Sequence, residues 1–120
     1  MARVLIVDDS PTETFRMSSW LNKAGHDVLT AENGEKGVDM ARREHPDLVL
    51  MDIVMPGLNG FQATRQLTKD SRTTDIPVVI VTTKDQETDR VWGKRQGARA
   101  FLTKPVDQKI LLRTINSLIA

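Results

Sequence analysis

Short apolar runs alternate five times along the chain with segments of helical periodicity, and this alternation restricts the possible folds more than any other feature. The predicted strands are residues 4–7, 26–31, 48–51, 76–82 and 98–103. The third and fourth runs are almost wholly apolar, without the alternation of a half-exposed strand. Strands of that kind are usually covered on both faces. The chain therefore predicts a sheet enclosed by helices.

Single helical segments connect successive strands, as expected for parallel strands joined by crossover helices. Right-handed crossovers leave few ways of ordering five such strands. The flavodoxin-like order 2-1-3-4-5 is the common solution, and its ligand crevice lies at the carboxyl ends of strands one and three. We therefore predict an α/β protein of flavodoxin-like (βα)5 architecture, a doubly wound parallel sheet with strand order 2-1-3-4-5.

Length and composition exclude several other classes of protein. The 120 residues suffice for one domain, which we expect to span residues 1–120. The absence of cysteine excludes a disulfide framework, a thiolate zinc site and a cysteine nucleophile. The net charge is +1 with both signs interspersed, so we expect no nucleic-acid partner.

The apolar segments also bear on where the protein acts. The first run meets Asp8 after too few residues to be a signal peptide, and no run approaches the length of a membrane span. We therefore expect a cytoplasmic protein, monomeric and without a membrane partner.

The first helical segment has its start signals directly after the first strand. Ser10 is the predicted N-cap, Pro11 the first helical residue, and Glu13 the residue that completes a capping box. An apolar stripe at helical spacing predicts the side that faces the core, and its members are Met17, Trp20, Leu21 and Ala24. Phe15 lies off that stripe, so we interpret it as a partner-docking residue.

The last two helical segments differ in apolar content. The fourth, about residues 86–96, offers only Val91 and Trp92 as large apolar anchors. It also contains Gly93, which destabilises a helix by about 1 kcal/mol relative to alanine. We therefore predict a loosely held fourth helix. The fifth has many core candidates, namely Ile110, Leu111, Leu112, Ile115, Leu118 and Ile119.

Polar groups stand at the carboxyl ends of four predicted strands, which meet at one edge of a parallel sheet. They are Asp8 and Asp9 after strand one, Asp52 after strand three, Thr82 at the end of strand four and Lys104 after strand five. Three neighbouring carboxylates repel each other unless a cation lies among them. Oxygen ligands without His or Cys favour a hard ion. The sequence therefore predicts a Mg²⁺ site at the three aspartates.

The same groups suit phosphoryl transfer, in which a protein mainly positions the reactants and neutralises charge. We predict that Asp52 is the nucleophile and forms an aspartyl phosphate. Mg²⁺ would be held by Asp9 and Asp52, with Asp8 acting through water. Lys104 would then pair with one phosphoryl oxygen, and Thr82 would hydrogen-bond another.

Taken together, these residues resemble the CheY-like receiver domains of bacterial response regulators. The match consists of Asp8-Asp9, Asp52 within the run MDIVMPGLNG, Thr82, and Lys104-Pro105. The resemblance implies a phosphorylation-dependent switch in two-component signalling. Its implied partners are a histidine kinase or histidine phosphotransfer domain, which phosphorylates Asp52, and an unidentified downstream protein. It also implies that the chain is not an enzyme beyond its own phosphotransfer and autodephosphorylation.

Other features are implied only by this resemblance. The backbone carbonyl of Val54 is an implied Mg²⁺ ligand, a cis peptide bond is implied before Pro105, and Thr82 and Phe101 form the implied switch pair. Phe101 stands where receivers often have tyrosine, so a rotamer change here lacks a hydroxyl. More narrowly, residues 52–69 and 81–99 resemble the PilH-type regulators of type IV pilus twitching motility, which favours that pathway or a chemotaxis-like one.

Two alternative functions stay open. An aspartate-nucleophile phosphohydrolase of the haloacid dehalogenase class would use similar groups, but it needs a D-x-D arrangement after the first strand, and Asp8-Asp9-Ser10 lacks it. A phosphorylation-independent interaction module would require no reaction at Asp52. A nucleotide-binding Rossmann or P-loop domain would need a glycine-rich first loop, which is absent here.

Overall fold

Five parallel strands form one sheet in the computed structural model, which describes residues 2–119. The strands are β1 (Arg3–Val7), β2 (Asp27–Ala31), β3 (Leu48–Met51), β4 (Val78–Thr82) and β5 (Ala100–Thr103). The helices are α1 (Pro11–Lys23), α2 (Gly34–Glu44), α3 (Gly60–Lys69), α4 (Glu87–Arg95) and α5 (Gln108–Ile119). The strand order is β2-β1-β3-β4-β5, which confirms the predicted flavodoxin-like topology.

The expected domain range of 1–120 includes Met1 and Ala120, and these two residues lie outside the described part of the chain. Among residues 2–119, no helix combines the length and the apolar character needed to cross a membrane.

Both faces of the sheet are covered, which explains the lack of alternation in the central strands. Successive residues of a strand point to opposite faces. In β1, Leu5 and Val7 pack with residues of α2 and α3, whereas Val4 and Ile6 pack with residues of α1 and α5. Every residue of β3 and β4 is buried. Every position of these strands is accordingly apolar except Thr82, the last residue of β4, whose hydroxyl lies at the carboxyl edge.

Helix α1 confirms part of its predicted core stripe. Met17 and Leu21 are buried, and Trp20 is partly buried against the core. The guanidinium of Arg16 lies 5.3 Å from the centroid of the Trp20 ring, a stacking distance. The prediction for Ala24 was wrong, because this residue is the exposed C-cap at the end of the helix.

The N-terminus of α1 differs from the predicted capping box. The Glu13 N–H donates to Ser10 Oγ at 3.3 Å, as expected for an N-cap. The Ser10 N–H, however, donates to Asp8 Oδ1 at 2.8 Å and not to the Glu13 side chain. Asp8 thus accepts the Ser10 N–H, which the Glu13 carboxylate would accept in a capping box. The Glu13 carboxylate therefore makes no hydrogen bond to the N-cap backbone.

Helix α4 is held more weakly than its sequence suggested. Val91 and Trp92 are 44% and 48% exposed, so the prediction that they anchor the helix in the core was wrong. Gly93 is the only residue of α4 that is buried. A Cβ at this glycine would lie 2.9 Å from Ile80 Cδ1 and 3.2 Å from Phe101 Cδ2. The helix therefore packs on β4 and β5 through its backbone rather than through large side chains.

Helix α5 supplies Leu111 and Ile115 to the core, with Leu112, Leu118 and Ile119 partly buried against it. Ile110 was also predicted as a core residue, and this was wrong because its side chain is 48% exposed. Its backbone N–H donates to Asp107 Oδ2 at 3.1 Å, so the Asp107 side chain caps the start of the helix.

Gly60 sets how closely α3 approaches the end of β3. A Cβ at this position would touch the carbonyl group of Asp52 and lie 2.7 Å from the Cα of Ile53, both of which are backbone. We expect Gly60→Ala to shift that backbone, lowering the free energy of unfolding by about 1–3 kcal/mol and weakening Mg²⁺ binding near Asp52. Urea denaturation and Mg²⁺ titration measure the two effects.

Gly25→Ala is the matched control. Gly25 has φ +88° but open space around it, so alanine there costs only the backbone strain, about 1 kcal/mol, and leaves Mg²⁺ affinity unchanged. Equal Mg²⁺ affinity in the Gly60 and Gly25 variants would contradict the close-approach explanation.

Candidate functional site

The pairing of β1 with β3 brings the predicted carboxylates together. Val7 and Met51 are partners in the parallel register, and each is the last residue of its strand. Asp8 and Asp52 come next, and the Asp52 N–H donates to the Val7 carbonyl at 2.9 Å. The sheet therefore fixes the backbone of both aspartates at one point on its carboxyl edge.

Asp8, Asp9 and Asp52 form the one cluster of potential metal ligands found in residues 2–119. One oxygen from each carboxylate lies within 4.8 Å of the other two. Asp8 and Asp52 are buried, whereas Asp9 is exposed. The donor set consists of carboxylate oxygens at an open edge, which suits a hard divalent ion such as Mg²⁺ that retains several waters. The residues present thus fit the predicted metal.

Lys104 completes the cluster with a positive charge. Its Nζ lies 2.8 Å from Asp8 Oδ2 and 3.5 Å from Asp52 Oδ2. The Lys104 N–H donates to the Thr82 carbonyl at 2.7 Å, which ties the end of β5 to the end of β4. The peptide bond between Lys104 and Pro105 is cis, as the family resemblance implied.

Burial and charge act in opposite directions on the pKa of Asp52. Burial raises the pKa and the neighbouring Asp8 adds to the rise, while Lys104, the Ile53 N–H and the Thr82 hydroxyl oppose it. The net result is a pKa above the ordinary value for aspartate. The free carboxylate is therefore held in a site that disfavours its charge, and an added cation would relieve this.

The ammonium of Lys104 is stabilised in its charged form. Burial alone would lower its pKa, but the hydrogen bond with Asp8 and the charges of Asp52, Asp8 and Glu13 outweigh burial and raise it. Sequence reasoning missed Glu13 as a neighbour of this site, because its spacing from Ser10 indicated a capping role. One oxygen of Glu13 is buried and has no hydrogen-bond partner within residues 2–119.

Thr82 and Val54 occupy different environments at the rim. Thr82 is fully buried at the end of β4, and its Oγ1 accepts the Lys84 N–H at 3.4 Å. Val54 lies two residues beyond Asp52 in the following loop, with its side chain 56% exposed. Ile53 lies between Asp52 and Val54 in sequence. Its backbone N–H donates to Asp52 Oδ1 at 2.8 Å, which orients the Asp52 carboxylate.

The loop after Asp52 is held by a residue that sequence reasoning missed. Glu35, at the start of α2, accepts the Leu58 N–H at 3.2 Å. Its carboxylate also lies against Gly57, whose φ of +74° is a backbone conformation that favours glycine. Nothing in the local pattern around Glu35 signals this contact, because it joins residues 23 positions apart.

The predicted switch and docking residues lie outside the carboxylate cluster. Phe101, in β5, is partly buried, and the Arg90 guanidinium lies 5.1 Å from its ring centroid. Arg90 also donates to Thr103 Oγ1 at 3.0 Å. Phe15 is 76% exposed on α1 and lines a surface groove that also reaches Asp8 and Asp9.

Comparison with known families agrees with this geometry. Residues 4–116 match the response regulator receiver domain family. The chain belongs to this family. Membership implies a cognate histidine kinase as partner, and a receiver domain is not a conventional enzyme.

Individual relatives support the assignment. The chain is 72% identical over 120 residues to Protein PilH of Pseudomonas aeruginosa, covering 100% of this chain and 99% of that protein. It is 40% identical to Response regulator PleD of Caulobacter vibrioides over 98% of this chain but 26% of that protein. Among solved structures, the chemotaxis protein CheY4 of Vibrio cholerae superposes with a TM-score of 0.92 at 31% identity, covering 98% of both chains.

The raised pKa of Asp52 gives a prediction about stability and pH. An aspartate whose pKa is raised by folding destabilises the folded state above that pKa, and the penalty disappears below its ordinary value of 3.8. We expect Asp52→Asn to raise the melting temperature at pH 7 and to lose most of that advantage near pH 3. Thermal unfolding at both pH values, without divalent ions, measures this.

Asp39→Asn is a suitable control, because Asp39 is an exposed acid on α2 and is not a member of the cluster. It should change the melting temperature little at either pH. A lower melting temperature for Asp52→Asn at pH 7 would contradict the balance of charges described here.

Proposed function

We propose that residues 1–120 form a receiver domain that acts as a phosphorylation-dependent signalling switch. In this proposal Asp52 accepts a phosphoryl group from the phosphohistidine of a histidine kinase or histidine phosphotransfer domain. The observation that carries the proposal is the geometry around Asp52, a buried carboxylate beside Asp8 and Asp9 with the Lys104 ammonium 3.5 Å away. The downstream target is an unidentified protein.

The reaction requires an ionised nucleophile and a neutralised phosphoryl group. A carboxylate oxygen of Asp52 forms the new O–P bond as the N–P bond of phosphohistidine breaks, and the released imidazole takes a proton from solvent. Lys104 moves from its pair with Asp8 to a phosphoryl oxygen, which needs little motion since it already lies between both aspartates. Thr82 supplies a hydroxyl to another oxygen.

Mg²⁺ would be held by Asp9, Asp52 and the Val54 carbonyl, with Asp8 acting through water, and it supplies positive charge that offsets the charge of the transferred group. The unfavourable ionisation of Asp52 supports this role. Without a cation, Lys104 is the only positive side chain in contact with the buried carboxylates among the described residues.

The proposed output uses α4 and β5. Phosphorylation adds charge and acceptor oxygens at Asp52, and Thr82 moves toward them, displacing the loop that precedes α4. Phe101 is the second member of the switch pair, and its ring lies beneath Gly93. A helix with one buried residue is easily shifted, so a change at Phe101 is transmitted to the surface of α4.

The pathway we propose is control of type IV pili and twitching motility, or a related chemotaxis-like system. The 72% identity to PilH over the full length of both chains supports this choice. Phe15 is the proposed contact for the phosphodonor protein, supported by its 76% exposure beside the acidic edge.

Phosphate mapping tests the central claim. We expect acetyl phosphate with Mg²⁺ to label the wild-type chain with an acid-stable, base-labile acyl phosphate, and peptide mapping to locate it at Asp52. Asp52→Asn should reduce labelling to background and Asp39→Asn should leave it unchanged. Labelling that persists in Asp52→Asn would contradict the assignment, and a motility phenotype rescued fully by Asp52→Asn would favour a phosphorylation-independent interaction module.

Hydrogen exchange tests the proposed output. With Mg²⁺ and beryllofluoride, which mimics the phosphoryl group, we expect amide protection in α4 to change by at least about threefold while α2 stays constant, because α4 has the weaker packing. Asp52→Asn is the control that cannot form the adduct. Equal α4 protection in both states of the wild-type chain would rule out this output route.

A further inference from the structure

A small groove lies between α3 and α4. It is lined by Phe61, Gln62 and Arg65 of α3, by Trp92 of α4, and by Gln96, the C-cap of α4. Its volume of about 170 Å³ is below the usual range for small-molecule clefts, about 300–1,000 Å³. The groove therefore suits a side chain of a larger partner better than a whole cofactor or substrate.

Two aromatic rings form the apolar part of the groove. Phe61 is partly buried, and Trp92 is 48% exposed. Trp92 belongs to neither of the two core clusters described in the chain, so its ring adds little to the packing of the fold. Tryptophan and arginine side chains at the edge of a concave surface are typical of protein contacts. The lining of this groove thus has the composition of a protein-binding site.

The charge at this groove is positive. Arg65 is the one charged residue described in its lining, and its side chain is exposed. Helical spacing places Lys69 one turn beyond Arg65 on α3 and Arg95 one turn beyond Trp92 on α4, both of them exposed. None of these three cations forms a salt bridge with another of residues 2–119. They are available to an acidic partner.

The acidic residues of α4 lie at its other end. Glu87 and Asp89 belong to the first turn of the helix. Asp89 already contacts Lys84, with 4.0 Å between Nζ and Oδ1, and its Oδ2 accepts the Gln86 N–H at 3.3 Å. The positive end of the groove is therefore the end near the C-terminus of α4.

We propose that the α3–α4 groove binds an acidic amphipathic segment of the downstream target protein, with an apolar side chain between Phe61 and Trp92 and a Glu or Asp beside Arg65. Charge complementarity selects the acid, and the two rings select its apolar neighbour. The proposal rests on the proposed signalling function and adds the chemistry of the target.

The two walls of the groove are held with different strength. Helix α3 begins at Gly60, whose N–H donates to the Ile53 carbonyl at 2.9 Å and whose backbone lies against the carbonyl group of Asp52. The opposite wall is α4, in which Gly93 is the one buried residue. Helix α3 is thus fixed to the phosphoryl-accepting loop, whereas α4 is easily displaced.

The two helices are joined near their C-terminal ends. Thr68 Oγ1 of α3 donates to the Gln96 carbonyl at 2.6 Å. A displacement of the start of α4 therefore pivots about this hydrogen bond and changes the spacing between Phe61 and Trp92. Because phosphorylation displaces the loop that precedes α4 in the proposed mechanism, it also changes the affinity of the groove for the target.

A synthetic amphipathic helical peptide of Leu and Glu is the binding probe. Added to ¹⁵N-labelled wild-type protein, it should shift the indole N–H signal of Trp92 and leave that of Trp20, the other tryptophan, in place. Trp92→Ala identifies the signal by its loss. The same peptide with Lys in place of Glu should shift neither signal. Shifts confined to Trp20, or equal shifts with both peptides, would overturn the proposal.

Charge reversal tests the electrostatic part. Arg65→Glu should weaken binding of the Leu–Glu peptide at least about fivefold at low salt and should permit binding of the Leu–Lys peptide, because the sign of the groove is reversed. Arg99→Glu is the matched control, since Arg99 is an exposed arginine of the neighbouring groove between α4 and β5. Its affinity should stay within twofold of wild type. Equal losses in both variants would overturn the assignment to the α3–α4 groove.

Truncation tests the apolar part. Trp92→Ala should reduce binding of the Leu–Glu peptide at least about tenfold, whereas Val91→Ala should not, although it also removes an exposed apolar side chain of α4. Equal affinities in the two variants would overturn the proposal. Self-association of the wild-type chain that Trp92→Ala abolishes would assign the groove to a second copy of the chain, and it would likewise overturn the proposal.

Beryllofluoride separates this proposal from the proposed function. With Mg²⁺ and beryllofluoride, the affinity of the wild-type chain for the Leu–Glu peptide should change at least about threefold, and that of Asp52→Asn should not change. Failure of acetyl phosphate to label Asp52 would overturn the proposed function itself. Normal labelling with no peptide binding in either state, or with equal affinity in both, would overturn only the groove proposal.

Discussion

The parallel pairing of β1 with β3 is the constraint on which the functional edge depends. It carries Asp8 and Asp52 to the same point of the sheet and buries both, although burial and the charge of Asp8 raise the pKa of Asp52. The strands cannot move apart to relieve this, because they are the middle of a sheet packed with helices on both faces. The repulsion must therefore be met by a positive charge from elsewhere in the chain.

Lys104 provides that charge from 96 positions away in sequence. It reaches the cluster because β5 pairs with β4 and β4 with β3, so three strand pairings separate it from β1. Its single ammonium faces two buried carboxylates, which leaves net negative charge for a divalent ion. Stability and function are opposed here, since the buried Asp52 carboxylate, whose raised pKa lowers the stability of the free protein at neutral pH, is also the group that attracts a cation and accepts a phosphoryl group.

The architecture and the cluster could be predicted from sequence because they depend on regular repeats. Apolar runs, helical spacing and strand ends determine the strand order, and the strand order brings Asp8, Asp9, Asp52, Thr82 and Lys104 to one edge.

The errors arose where long-range packing overrides local pattern. Val91 and Ile110 have the character of core residues but are 44% and 48% exposed. Glu13 occupies a capping position, yet Asp8 takes the donor it would have bonded. The Glu35 contact joins segments distant in sequence, so no local motif could have indicated it.

The weak hold on α4 follows from the same arrangement of strands. Strand β4 connects the carboxylate cluster with α4. Thr82, its last residue, lies at the carboxylate edge. Ile80, two residues earlier, packs against the backbone of α4 at Gly93. Phe101 pairs with Ile80 in the β4–β5 register and also packs against Gly93.

Phe101 has no hydroxyl that could hydrogen-bond. Its ring is contacted by the Arg90 guanidinium, which also donates to Thr103 Oγ1. A larger residue at position 93 would collide with Ile80 and Phe101 and push α4 away from them. The absence of large buried side chains in α4 is thus what lets a small displacement near Thr82 alter the position of a whole helix.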